Sequence, residues 1–155
     1  MSERIAVLVV CTGNICRSPT GEGVLRHLVK KRGLSDRVRV ASAGTHDYHA
    51  GEPPDLRAQD HARKRGYDLS ALRARQVRRR DFEEFDWIVA MDRGHLAILE
   101  DNCPDQHRAK LRMLVKSRDV PDPYYGGPEG FESVLDLIET GCLALLSELR
   151  EAKRA

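Results

Sequence analysis

The chain has 155 residues, enough for one globular domain with its own core and too few for two comfortable ones. With 41% hydrophobic and 32% charged residues it falls outside the collagenous, low-complexity and disordered classes. Lys+Arg 26 against Asp+Glu 24 leaves a net charge of +2, too small for a dedicated nucleic-acid binder. No run of apolar residues is long enough for a membrane-spanning helix, and the short run ending near Val10 lacks the length and cleavage site of a secretory signal. A cytoplasmic location is expected, with the four cysteines at 11, 16, 103 and 142 as free thiols.

In chain order, Ile5 to Val10 is continuously apolar and β-branched, the pattern of a strand buried on both faces of a parallel sheet. A helix is expected to open at Ser18-Pro19, with Ser18 as N-cap and Pro19 at the first helical position. It should close with Lys30-Lys31-Arg32 before Gly33. Val38 to Ala43 reads as a second strand ending at Gly44, and Pro54 to Arg65 as a helix stopped by Gly66. Trp87 to Met91 is a third strand, followed by a helix from Gly94 to about Asn102, and Lys110 to Val115 is a short fourth strand. Phe131, Val134, Leu135, Ile138, Cys142, Leu145, Leu146 and Leu149 recur at three- and four-residue spacing, the signature of a final amphipathic helix.

Alternating β and α elements predict an α/β fold: a single three-layer domain over residues 1–155, its four-stranded parallel sheet covered by helices on both faces. Ligands in such sheets sit beyond the carboxyl ends of the strands, so the informative loops follow Val10, Ala43, Met91 and Val115.

The first of these loops reads Cys11-Thr12-Gly13-Asn14-Ile15-Cys16-Arg17-Ser18-Pro19. A Cys six positions before an Arg means little alone; with four Cys and 20 Arg, chance supplies about half such a pair. Its placement between a buried strand and a helix start sharpens it. Successive amides in a tight loop form a concave anion nest, and the helix behind points its positive end into it. Gly13 and Asn14 accept left-handed backbone, and Arg17 can fork two oxygens of a tetrahedral anion. Cys11 at the base would be favoured as thiolate, a nucleophile facing that anion. A buried structural Cys beside a loop-capping Arg is the plainer alternative.

The stretch VCTGNICRSP closely resembles the phosphate-binding loop of the low-molecular-weight protein tyrosine phosphatases. SAGT at Ser42 to Thr45 and DPYYGG at Asp122 to Gly127 resemble that family's second and third signatures, in the same order. The resemblance implies hydrolysis of phosphotyrosine through a phosphocysteine, with Cys11 as nucleophile. Arg17 and the loop residues Thr12, Gly13, Asn14, Ile15, Cys16 and Ser18 would bind the phosphate, and Asp122 would serve as general acid and base; Asp119 is the rival acid by proximity. It further assigns Ser18 to the nucleophile's hydroxyl partner, Asn14 and Ser42 to loop support, and Tyr48, Tyr124 and Tyr125 to an aromatic wall. Cys16 matches a second loop Cys that would capture oxidised Cys11 as a disulfide.

Two positions depart from the family pattern: Tyr48 stands where many members carry Trp, and Leu72 where many carry a His supporting the loop Asn, which predicts a less rigid loop. The resemblance implies no metal and no cofactor, and the His residues lack ligand spacing. The expected partner is a phosphotyrosine-containing protein, a tyrosine kinase among the candidates; neither nucleic acid nor membrane is expected, and the assembly is monomer or weak homodimer. The five Arg between Arg73 and Arg80 read as a solvated face or as partners of the acidic stretch that follows. Arginine phosphatases and arsenate reductases on the same fold are the rival activities, and a phosphoprotein-binding module is the non-enzymatic one. Ile15 and the paired tyrosines argue against phosphoarginine, where Thr is usual at position 15. The 39 positions between Cys103 and Cys142 argue against a thiol relay for arsenate.

Overall fold

The structure, a computed structural model, describes residues 4–124 and 127–154. Its elements run β1 (Ile5–Cys11), α1 (Arg17–Lys31), β2 (Val38–Gly44), α2 (Leu56–Lys64), α3 (Asp81–Glu84), β3 (Trp87–Ala90), α4 (Arg93–Asn102), a 3-10 turn (Asp105–Lys110), β4 (Leu111–Met113) and α5 (Pro128–Arg154). The strands form one parallel sheet in the order β2-β1-β3-β4. The chain leaves β1 in one direction to make β2 and in the other to reach β3, so the topological switch point lies at the carboxyl end of β1.

β1 explains the three layers. Val7, Val9 and Cys11 point to one face, against Val24, Leu25 and Val29 of α1 and Leu135, Ile138, Cys142 and Leu146 of α5. Ala6, Leu8 and Val10 point to the other, against Phe82 of α3, Phe85 at its C-cap, Ile88 and Ala90 of β3 and Leu99 of α4. A strand clothed on both sides has no place for the polar alternation of a half-exposed one, hence its continuous apolar run. Burying a side chain such as Leu8 or Ile138 contributes about 1.5–3 kcal/mol.

The expected elements are present with shifted ends, and α3 and the 3-10 turn are additions that four- to six-residue pieces give no periodicity to find. One boundary matters for function. Helix α1 begins at Arg17, two residues before the predicted start, with Cys16 at the N-cap and no side chain capping it. Ser18 is therefore not the cap: its hydroxyl points to the Cys11 sulfur instead. With no acidic residue in its first turn, α1 presents an unneutralised positive end to the loop. At the other helix end Gly33 takes φ +70, as the predicted stop requires.

Candidate active site

The three other loops at the carboxyl end of the sheet converge on the one that follows β1. The β2 loop is tied to it by the Thr45 amide donating to the Cys11 carbonyl (2.8 Å) and the His46 amide to Thr12 (3.0 Å). The β3 loop brings Asp92 and the β4 segment brings Val120, whose amide donates to the Met91 carbonyl at 2.8 Å. Helix α2 contributes through its N-cap, as the Asp55 amide donates to Ile15 at 2.8 Å.

Cys11, Thr12, Gly13, Ile15, Cys16, Arg17, Tyr48, Asp122 and Tyr124 line a single open cleft, with His49 beside them. Tyr125 lies outside the described residues. The Cys11 sulfur sits at the base, 3.0 Å from the Ser18 hydroxyl and 3.4 Å from the Ser18 amide that donates to it. The Ser18 amide, a helix N-terminal donor with no intrahelical acceptor, is thus directed at the sulfur. A Cβ on Gly13 would stand 2.9 Å from the His49 ring, so a larger residue there would have to displace that side chain. The left-handed position of the loop belongs to Asn14 alone, at φ +58.

Asn14 and Ser18, expected to touch substrate, lie behind the cleft. The Asn14 amide donates to the hydroxyls of Ser18 (2.7 Å) and Ser42 (2.9 Å) and accepts the Arg75 amide (3.1 Å), which uses both its donors and one lone pair of its oxygen. Leu72 packs against the apolar core instead, so the loop Asn is held by the Arg75 backbone and not by residue 72. The network continues inward: the Ser42 hydroxyl donates to Glu22 at 2.6 Å, and Glu22 pairs with Arg26 at 3.0 Å. Burial pushes the Glu22 carboxyl up, against the hydrogen bond from Ser42 and the charge of Arg26.

Arg17 is nearly fully buried and held from several sides. Its NH1 donates to Asp92 Oδ2 at 2.9 Å and to the Val120 carbonyl at 3.0 Å. Its NH2 lies 3.3 Å from His95 Nε2 and 3.7 Å from Asp122 Oδ2. With NH1 committed to protein acceptors, the Nε and NH2 edge is left for an oxyanion. Burial works against the Asp92 carboxylate, yet the His95 amide, the His95 ring and Arg17 together hold it below its ordinary range. Asp122 stands at the mouth, its side chain 45% exposed and its Oδ1 accepting the Tyr124 amide at 3.0 Å. Asp119 accepts the Arg93 amide at the start of α4 and does not line the cleft. Burial, with Asp55 next, pushes the Cys16 thiol up.

The sequence profile of the low molecular weight phosphotyrosine protein phosphatases matches residues 6–155. The chain belongs to that family. It is 38% identical to the Bacillus subtilis low molecular weight protein-tyrosine-phosphatase YfkJ, over 97% of this chain and 99% of that one. It superposes on the Entamoeba histolytica protein tyrosine phosphatase, crystallised with Hepes in the active site, with a TM-score of 0.93. That alignment has 39% identity and covers 96% of this chain and 99% of the other. It also superposes on a Drosophila arginine phosphatase, with a TM-score of 0.84 and 33% identity over 92% of this chain and 96% of that one.

Within this low-molecular-weight phosphatase fold, sequence reasoning passed over Asp92, His95, His49 and Glu22. Asp92 and His95 carried a usable signal: an Asp directly after a buried strand, with a residue three positions on, at the start of a helix. The Asp92 side chain does cap α4, accepting the His95 amide at 2.8 Å. His49 and Glu22 had no local signal, because the loop packing and the helix face that place them are tertiary.

Proposed function

We propose that the protein hydrolyses phosphotyrosine in protein substrates, as one catalytic unit over residues 1–155, through a phosphocysteine intermediate. The observation that carries this reading is the Cys11 sulfur at the base of the loop, facing the helix N-terminus and backed by Ser18, with Arg17 closing one side. The sulfur attacks phosphorus in line as the bond to the phenolic oxygen breaks, and Asp122 at the mouth gives its proton to that oxygen. Asp122, now carboxylate, takes a proton from water. The water oxygen attacks phosphorus, the P–S bond breaks, and the Ser18 hydroxyl stabilises the departing thiolate. Arg17 and the loop amides of residues 12 to 16 hold the equatorial oxygens throughout. Tyr48 and Tyr124 form the aromatic wall for the phenyl ring.

Phosphate release from matched phosphotyrosine and phosphoarginine peptides tests the assignment. Preference for phosphotyrosine is expected, abolished by Cys11→Ser and strongly slowed by Asp122→Ala. Preference for phosphoarginine would retain the nucleophile and overturn the substrate class; the Drosophila neighbour keeps that reading in play, while Ile15 and Tyr124 favour the aromatic ester. Binding without turnover of either peptide would make the protein a phosphoprotein-binding module.

A thiol nucleophile suits a reducing compartment, so we place the activity in the cytoplasm, acting as monomer or weak homodimer on a phosphotyrosine protein such as a tyrosine kinase. Among the described residues no helix is long and apolar enough to cross a membrane. Cys16 shares the cleft with Cys11 and guards it: peroxide takes Cys11 to the sulfenic acid, the Cys16 sulfur attacks it, and water leaves as the disulfide forms. Cys16→Ser is expected to make peroxide inactivation several-fold harder to reverse with dithiothreitol. Full reversal in that variant would remove the role.

A further inference from the structure

His95 lies in the first turn of α4, 4% exposed, and its ring is enclosed by groups of the site. Its Nε2 is 2.8 Å from the Thr12 hydroxyl and 3.3 Å from Arg17 NH2. On the opposite edge Nδ1 lies 3.1 Å from Asp92 Oδ1, close to that carboxylate though off-line for a full hydrogen bond. Asp92 Oδ2 in turn accepts Arg17 NH1, so Arg17, Asp92 and His95 form a closed ring of contacts.

Elementary donor counting decides the state of the imidazole. Arg17 has only hydrogens to offer, so the nitrogen facing it must present a lone pair. The proton of a neutral ring then belongs on Nδ1, toward Asp92. A doubly protonated ring would set a second positive charge 3.3 Å from the guanidinium in a buried site. We propose that His95 is a positioning residue of the phosphatase site: a neutral, Nδ1-protonated imidazole whose single Nε2 lone pair, shared between the Thr12 hydroxyl and the more distant Arg17 NH2, holds both in the orientation that grips the phosphate. The charges facing the ring are Arg17, Asp92, Asp119 and Asp122. Burial, then Arg17, pushes its protonation down to about 4, in keeping with a ring that stays neutral at working pH.

The role differs from that of Asp92. Asp92 supplies the charge that keeps Arg17 in the interior, while His95 sets the rotation of the fork about its long axis by engaging NH2. A guanidinium turned out of plane binds one phosphate oxygen where it should bind two, and modest misplacement at a reacting centre costs rate. The inference rests on reading the cleft as a phosphate-hydrolysing site.

Two measurements on the full chain test it. Long-range proton–nitrogen NMR of the wild-type protein reads the tautomer directly. Nδ1 protonated and Nε2 bare between pH 5.5 and 7.5 is expected, and a proton on Nε2 or a charged ring at pH 6 overturns the proposal. Steady-state turnover of p-nitrophenyl phosphate and inhibition by inorganic phosphate are then compared in His95→Leu and His95→Gln. The Leu variant is expected to lose on the order of tenfold in kcat/KM and in phosphate affinity. Gln, whose amide oxygen can reach the place of Nε2, is expected to recover to within about threefold of wild type on both readouts. Equal losses in the two variants, or a Leu variant that melts lower but keeps wild-type kinetics, overturns the role. Should wild type not turn over the ester, the functional reading falls, and the NMR tautomer and phosphate affinity still decide on His95.

Discussion

At the base of the cleft the polar side chains are buried and committed to one another: Asn14 is 2% exposed, Ser18 0% and Arg17 4%. At the rim the groups are open, with Tyr48 68% exposed and the Asp122 side chain at 45%. The base is a densely bonded network: Asn14 spends both its donors inside it, and Arg17 NH1 is committed to Asp92 and Val120 while its Nε and NH2 edge faces the cleft. The rim is held by loop ties and ring contacts: Tyr48 stacks on His46 at 4.9 Å, and Arg57 lies over the Tyr124 ring at 5.2 Å. Charge chemistry that tolerates little displacement is placed where packing fixes it. Substrate choice and proton exchange with water are placed where access is needed.

The comparison breaks most sharply at Arg17. Arg17→Lys keeps a positive charge and loses the planar fork, along with one of the contacts to Asp92, Val120 and His95. The expected loss in kcat toward aryl phosphates is about 10²- to 10³-fold, the scale for removing a transition-state donor. Steady-state kinetics within threefold of wild type would mean that charge alone suffices and the base need not be so exact.

Asn14→Ala tests the network itself. It strips partners from the Arg75 amide and from the Ser18 and Ser42 hydroxyls, and it sets a Cβ residue at φ +58 without the side chain that compensates. Leaving buried groups unpaired costs about 1–3 kcal/mol each, softened where water enters, so a fall of about 2–4 kcal/mol in unfolding free energy is expected. Urea denaturation measures it, and a change below about 0.5 kcal/mol would show the network to be incidental.

A smaller effect separates base from rim by pH. The His95 imidazole titrates at about 4 in the fold against an ordinary 6.5, so between those values the unfolded chain binds the additional proton. Stability from this group is fully present above pH 6.5 and is lost as pH falls toward 4, by up to about 3 kcal/mol. The depressed Asp92 carboxylate adds its loss only below its ordinary 3.8, outside that window. Denaturant midpoints measured from pH 7 to pH 4 are expected to fall in wild type and to flatten in His95→Gln. An unchanged slope in the variant would place the acid sensitivity elsewhere.

How far the sequence carried the reading follows the same division. Cys11, Arg17 and the loop between them were legible because strand, loop and helix are contiguous, and local chemistry constrains each residue. The four informative loops were legible from strand order alone, since a parallel sheet puts its carboxyl ends on one side. The start of α1 was misplaced because Ser18-Pro19 is a strong local helix-start signal. The tertiary demand of the Cys11 sulfur for a hydroxyl overrides it. Leu72 shows a related division: a missing side-chain strut is visible in sequence, while the Arg75 amide that bonds Asn14 looks the same at every position. The Arg-rich run behaved as read at one point, where Arg75 pairs with Asp81 at 2.9 Å.

The rim prediction is the mildest. Tyr48 is exposed and its ring rests on His46, so removing it should leave stability unchanged within about 0.5 kcal/mol. Tyr48→Ala removes one face of the aryl pocket, and an aromatic contact of this kind contributes about 0.5–1.5 kcal/mol. The expected outcome is a rise of about fivefold in KM for p-nitrophenyl phosphate, with inhibition by inorganic phosphate unaltered because that anion reaches only the base. Tyr48→Trp enlarges the same wall and should lower KM. If Tyr48→Ala instead weakened inorganic phosphate as much as the aryl ester, the rim would be shaping the nest, and base and rim would be one structural unit.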